Sequence, residues 1–410
     1  MEKVEKVEKV EKVEEYSIWK NSQFRILFSG ALFCNLGGKV YELALPLLIY
    51  DITRSSEIMG WVRAVEFLPY ILLASVIGAW IDRVDRRVWS QWMVAGQVVC
   101  LLTGWLAIQF LPNPLWVLFP CAFFMMAFNF GYLNARMGML KHILPLSLQS
   151  AATSSMSSLN SLFQAMGPLL SGVVILFSSV HIIFLWIALF LFIAWCYLIK
   201  MPYEREVFRT TGSIGKAIIE GWRILRANPP LYHMALAIAV LNTSSVVFSL
   251  QSIYYAKTVL AMNAVDIGYM ASAGGIGGIL GSLLTVRLRN KFGLGKVLIT
   301  TTITQALGYL FILFSNHSLV LVSAFFWVSF FEVITAILVY TYRQESIKTE
   351  NLGKVMGITG TLFKMGLPFG LAISGYIVSG YGIGTLFTAC AVVQISMGIL
   401  CTLSPIAKVS

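Results

Sequence analysis

Lys39 and Glu42 stand three residues apart in a run that is otherwise apolar from about 26 to 50, and Arg63 and Glu66 repeat the spacing near 58–81. On a helix that spacing puts both members of a pair on one face, where they neutralise each other. Glu332 and Lys364 lie in apolar runs with no basic or acidic neighbour on their own helix. A charge in hydrocarbon costs several kcal/mol unless paired or hydrated, so all six residues are candidates for proton coupling or substrate binding. The chemistry within reach is the uptake and release of a proton by a carboxylate, with Glu42 and Glu332 the strongest carriers. Two alternatives stay open: Glu332 and Lys364 form a structural pair between helices, and Arg63 and Glu66, about 8–12 Å inside the surface by helix rise, snorkel out.

These residues need helices that cross a membrane. In 410 residues the chain is 58% hydrophobic and 12% charged, with 54 aromatics and a mean hydropathy of +0.78, more apolar surface than a soluble core hides. Runs long enough to span about 30 Å of hydrocarbon number twelve. Val88 to Leu111, Leu115 to Ala135, Leu231 to Ala256 and Ile267 to Val286 carry no charge; the rest lie near 26–50, 58–81, 150–177, 182–199, 297–314, 319–342, 355–379 and 382–404. Backbone groups in lipid must bond within their own segment, so the expected fold is an all-α membrane protein: twelve transmembrane helices in two six-helix repeats around a central cavity.

Lys and Arg fix an orientation for that count. Of the 30, 25 fall on the side of the N-terminus, two (Arg54 and Lys257) on the other, and Lys39, Arg63 and Lys364 within spans. Both termini are therefore expected in the cytoplasm, the chain being multi-pass in a cell membrane. The net charge of +11 follows from this bias and requires no nucleic acid. The expected organisation is a charged, solvated tail over 1–22 built on an EKV repeat, a six-helix bundle over 23–200, a cytoplasmic linker over 201–230 and a second bundle over 231–410. In the linker, Ile214, Ile218, Trp222 and Leu225 share one face and Lys216, Arg223 and Arg226 lie off it, the pattern of an amphipathic helix at the membrane surface, with a structureless connector as the alternative.

The halves are related. Arg136 and Arg343, ending spans four and ten, are 207 positions apart; GPLLSG at 167–172 and GLAISG at 370–375 are 203 apart; GAWIDRVDRR from Gly78 and VRLRNKFGLGK from Val286 are 208 apart. Gly78, Asp82, Arg83, Arg86 and Arg87 resemble the signature of the major facilitator superfamily between helices two and three, with Asp85 where the family usually has Gly. Residues 134–174 resemble its drug- and siderophore-export branch, which includes macrolide efflux proteins and the enterobactin exporter. Gly167, Pro168, Ser171 and Gly172 are similar to the helix-five motif associated with exporters. The resemblance implies that Asp82 binds the N-terminal end of span eleven and gates the inner side, with Arg136 and the loop arginines in the same network.

Other chemistry is not indicated. No GxxxxGK[ST] loop is present, and Gly274, Gly275, Gly277, Gly278 and Gly281 give overlapping GxxxG patterns of close helix packing, not a phosphate cradle. Cysteines 34, 100, 121, 196, 390 and 401 are dispersed, the four His lie in separate segments, and no nucleophile–base arrangement appears. No enzyme, cofactor or metal is expected. The expected activity is export of a small amphipathic molecule by a monomeric proton antiporter; proton-coupled uptake of a metabolite and a non-transporting receptor are the alternatives.

Overall fold

The computed structural model describes residues 17–73, 77, 80–81, 84–176, 180–202, 214–314 and 317–409. Their architecture is all-helical, as expected. Helix α1 is Ser22–Thr53, α2 Ser56–Phe67, α3 Pro69–Leu72, α4 Arg86–Phe110, α5 Leu115–Ile143, α6 Leu146–Leu176 and α7 Val180–Lys200. The second half holds α8 Ile214–Arg226, α9 Pro229–Thr258, α10 Ala264–Phe292, α11 Leu294–Leu310, α12 Ser318–Ser346, α13 Thr349–Met365, α14 Leu367–Tyr381 and α15 Ile383–Thr402.

Among the described residues ten segments are long and apolar enough to cross a membrane, α13 and α14 acting together as one from Asn351 to Tyr381. The two other expected spans each run into residues outside those described. Pro69 interrupts the second after α2, because proline removes a backbone donor and crowds the preceding turn. Helix α6 is 31 residues long, and its Asn160 accepts from Asn35 of α1 at 3.0 Å. Several helices also outrun their apolar stretches. Helix α10 continues past Val286 through Arg287, Arg289 and Lys291, good helix formers whose charge suits a helix C-terminus, and ends only where Gly293 turns at a φ of 83°.

The spans sort into two bundles. In the first, α1 packs on α6 and α7, and α4 on α5 and α7; in the second, α10 and α11 pack on α12, and α15 on α9 and α11. The GxxxG glycines do what their spacing predicts. A side chain on Gly277 or Gly281 would collide with the carbonyls of Phe326 and Phe330, so α10 lies backbone to backbone against α12. The linker does carry an amphipathic helix, α8, and it is docked. Leu225 is buried, Gly221 rests against Ile358 and the Lys354 backbone of α13, and Lys354 pairs with Glu220 at 2.8 Å. Ile218 and Ile219 remain exposed.

The halves meet along α2–α14, α6–α10 and α1–α9. Away from the termini they are closed. Gly60 abuts the Leu371 carbonyl and Gly375 abuts Glu57, and around these contacts Trp61 donates to the Tyr376 hydroxyl at 3.1 Å, Ser56 to the Gly375 carbonyl at 3.3 Å, and Ser379 to Glu57. Asp51 of α1 faces Lys257 of α9 at 3.9 Å, beside the edge-on rings of Tyr50 and Tyr254. Gly375→Val forces side-chain volume into this seal, an overpacking of about 1–3 kcal/mol. In a chain with its native cysteines replaced, a cysteine at Ser56 should then react with an impermeant maleimide about tenfold faster than in the Gly375 parent; equal rates would show that the α2–α14 contact does not hold this end shut.

Candidate functional site

The charged residues of α1 and α2 gather midway along the first bundle. Because Lys39 and Glu42 lie nearly one turn apart, the ammonium reaches the carboxylate within the helix, at 2.7 Å. The Lys39 stem has room because residue 167 is glycine: a Cβ there would stand 2.7 Å from Lys39 Cγ. The export-like stretch of α6 therefore shapes the path of the α1 lysine. Ser171, one turn on, is buried and donates back to the Gly167 carbonyl at 2.8 Å. Pro168 and Gly172 fall within α6 but outside the described side chains. The Glu42 side chain is 55% exposed although its helix is buried on nearly every other face here.

On α2, Arg63 and Glu66 pair at 2.6 Å, with side chains 8% and 1% exposed. Snorkelling is thus replaced by full burial, affordable because the pair is neutral and its guanidinium also faces the Phe67 ring at 5.6 Å. Arg63 Nε keeps no hydrogen-bond partner. The Arg63 and Glu66 charges both act on Glu42, so two cations and two carboxylates form one balanced cluster in the first half.

The second half supplies Glu332 from α12 and Lys364 from α13. Glu332 is partly buried, and its carboxylate and that of Glu42 act on each other across the halves. Among the described residues no ion pair joins Glu332 to Lys364. Lys364 instead crosses to the first half, its Nζ 3.3 Å from the centroid of the Tyr70 ring, so the interhelical pairing considered from sequence is not the contact formed.

The gating candidates that the structure describes, Arg86, Arg87 and Arg136, fall at the end that carries the start of α1 and the end of α7. Gly78, Asp82 and Arg83 lie outside the described residues. Asp85, the departure from the family signature, is the N-cap of α4: its Oδ1 accepts from the Arg87 amide at 2.9 Å and the Val88 amide at 3.2 Å. Arg86 runs across Gly138 of α5, and Arg87 donates to the Ile199 carbonyl of α7 at 2.6 Å. Arg136 is buried over the Tyr132 ring at 5.6 Å with Nε and Nη1 unpartnered. Its repeat counterpart Arg343 is likewise buried, over Tyr340 at 4.6 Å, and donates to Thr359 at 2.8 Å.

Sequence reading missed a buried polar chain in the second half. Gln305 donates to Ser245 at 2.9 Å and to the Tyr309 hydroxyl at 3.2 Å, and Gln394 donates to Gln305 at 2.9 Å. Amides and hydroxyls inside apolar runs were the available signal. Tyr70 and Asn35 were missed for want of any charge. The Arg63–Glu66 arrangement carries a direct test. Glu66→Gln leaves a buried unpaired guanidinium and should cost about 3–5 kcal/mol, whereas Arg63→Met with Glu66→Met should recover most of that loss in thermal unfolding; additive losses would show that the two charges do not stabilise one another.

The family model of the Major Facilitator Superfamily matches residues 27–363 and 242–408. Macrolide efflux protein A of Streptococcus pyogenes is 23% identical over 408 residues, covering 94% of this chain and 96% of its own. The multidrug efflux pump Tap of Mycolicibacterium fortuitum is 25% identical over 198 residues, 48% of this chain and 47% of its own. Among solved structures, a bacterial homologue of the iron transporter ferroportin in an inward-facing state is similar with a TM-score of 0.69 at 16% identity, covering 92% of this chain and 97% of its own. With paired helical bundles, titratable side chains within the spans of both and a family match along nearly its whole length, the chain belongs to the Major Facilitator Superfamily of membrane transporters and is not an enzyme.

Proposed function

We propose that this transporter exports a small amphipathic molecule by proton antiport, moving between states in which the central cavity opens at alternate ends. The observation that carries the reading is a carboxylate within a span of each half, Glu42 on α1 with its side chain 55% exposed beside Lys39 and Glu332 partly buried on α12, close enough to act on each other electrostatically, with no ion pair to the other half among the described residues. Two like charges on facing surfaces resist approach, and a proton on either removes the resistance. Loading one carboxylate thus changes which arrangement of the halves is favoured, the differential interaction that any two-state machine needs. A proton crossing about 100 mV releases about 2.3 kcal/mol, enough for roughly a fifty-fold substrate gradient.

The basic bias of the loops supports cytoplasmic termini in a bacterial inner membrane, so the closed α2–α14 end faces outward and the cavity opens inward. Residues 23–200 and 231–410 then act as the two moving bodies, linked by 201–230 and α8. Asp82, with Arg83, Arg86, Arg87 and Arg136, would close the inner end by engaging span eleven. The efflux names of relatives along the chain support export over uptake. A drug, macrolide-like compound or siderophore fits a cavity combining charges with aromatic walls.

The test is internal pH in proteoliposomes of known orientation while macrolides, lipophilic cations, catecholate siderophores and sugars are added. Substrates should move protons opposite to themselves, and Glu42→Gln or Glu332→Gln should abolish that flux by tenfold or more while the folded protein still binds substrate, because one unit of proton-linked free energy is about 1.4 kcal/mol. Flux undiminished in both variants would remove these carboxylates from coupling, and co-directional flux would replace antiport by symport.

A further inference from the structure

Lys364 is held in an unusual way for an ammonium at membrane depth. It lies 3.3 Å from the centroid of the Tyr70 ring, and no carboxylate among the described residues pairs with it. Tyr70 is buried, and its ring stands edge-on to Phe130 at 5.0 Å and stacks on Phe67 at 6.1 Å, so the contact has aromatic walls on two sides. Glu66 and Glu42 act electrostatically on the same tyrosine. Both carboxylates are neutralised by cations of their own helices, so the attraction for a cation comes from the aromatic face itself.

Resting on the transport reading above, we infer that Tyr70, walled by Phe67 and Phe130, receives the ammonium or phosphonium group of a hydrophobic cationic substrate, and that Lys364 is a tethered competitor which fills this receptor when no substrate is bound. A primary ammonium needs acceptors for three protons, and a ring face supplies only its quadrupole. Lys364 is therefore a poor occupant, more strongly hydrated than its seat allows. A tertiary or quaternary cation carries few or no N–H groups and its own apolar skin, so it gives up less water on reaching the same face. Displacement also has a mechanical consequence. Tyr70 belongs to α3 in the first half and Lys364 to α13 in the second, so a substrate that takes the ring breaks a contact between the halves and frees a charge in the cavity. Binding of a cation is thereby converted into a change in what joins the two bodies.

The experiment measures equilibrium binding of tetraphenylphosphonium and of neutral triphenylphosphine oxide to the purified full-length chain in nanodiscs. Lys364→Met, which keeps the stem and deletes the charge, should tighten tetraphenylphosphonium binding about fivefold, the worth of one partly desolvated cation–π contact. Binding of the neutral oxide should stay unchanged, and Lys364→Arg, which restores a tethered cation, should return affinity toward the parent. Tyr70→Leu should weaken the phosphonium and erase the gain of Lys364→Met in the double variant; its melting temperature shows whether the chain remains folded. An unchanged or weakened phosphonium affinity in folded Lys364→Met overturns the competitor, as does an equal change for both probes. The failures are separable: a neutral compound that drives proton flux in a chain indifferent to tetraphenylphosphonium preserves the transport function and removes this site, whereas the predicted binding pattern without flux from any compound preserves the site and removes the antiporter.

Discussion

Hydrocarbon contains no water to satisfy a charge or a free backbone group, and many polar side chains of the described spans answer that deficit at short range. Hydroxyls on the spans bond back to carbonyls four residues earlier, as Ser171, Ser272, Thr285 and Thr301 do. Arg63 finds Glu66 within its own helix. Arg136 and Arg343, near the ends of equivalent spans, lie over tyrosine rings one turn earlier. The amides of Gln305 and Gln394 bond each other and neighbouring hydroxyls. Where the partner lies in the same helix, the span can enter the membrane already satisfied; the glutamine network instead ties α9, α11 and α15 together after insertion.

Shape divides the contacts into two kinds. Within the second half, Gly277 and Gly281 bring α10 against the backbone of α12 with apolar side chains on either side, and the exposed Arg289–Glu345 pair lies at the end of that interface. Between the halves, glycines again allow close approach at Gly60 and Gly375, but the rim is polar: Trp61 with Tyr376, Ser379 with Glu57, Asp51 with Lys257. Each of these rim groups can exchange its partner for water at little net cost, since such bonds contribute about 0.5–1.5 kcal/mol. The bundles are thus held by terms that opening would forfeit, and the seam by terms that opening would largely replace.

What could be read from the sequence follows the same division. The pairs Lys39–Glu42 and Arg63–Glu66 were legible because partners three residues apart are fixed by helix geometry alone, and the glycines of α10 because their spacing already states a packing face. The amphipathic linker helix was legible as a helix; its docking on α13 through Gly221 and Leu225 was not. The seat of Lys364 was hidden for the same reason. Choosing Tyr70 among 54 aromatics requires knowing that α3 and α13 lie side by side, a relation between segments almost 300 residues apart. Asp85 looked like a departure from a family turn, yet an N-cap is a local role that Asp fills well, and the helix following it was the available sign.

The distribution of charge between the halves bears on how the machine moves. Lys39, Glu42, Arg63 and Glu66 compensate one another inside the first half, which can turn as a body without exposing net charge. The second half has no such balance at the cavity. Glu332 and Lys364 belong to different helices, do not pair, and each addresses the first half: one through repulsion from Glu42, the other through attraction to Tyr70. Separation of the halves relieves the repulsion and forfeits the attraction, and closure does the reverse. The two interactions therefore act on the halves in opposite senses.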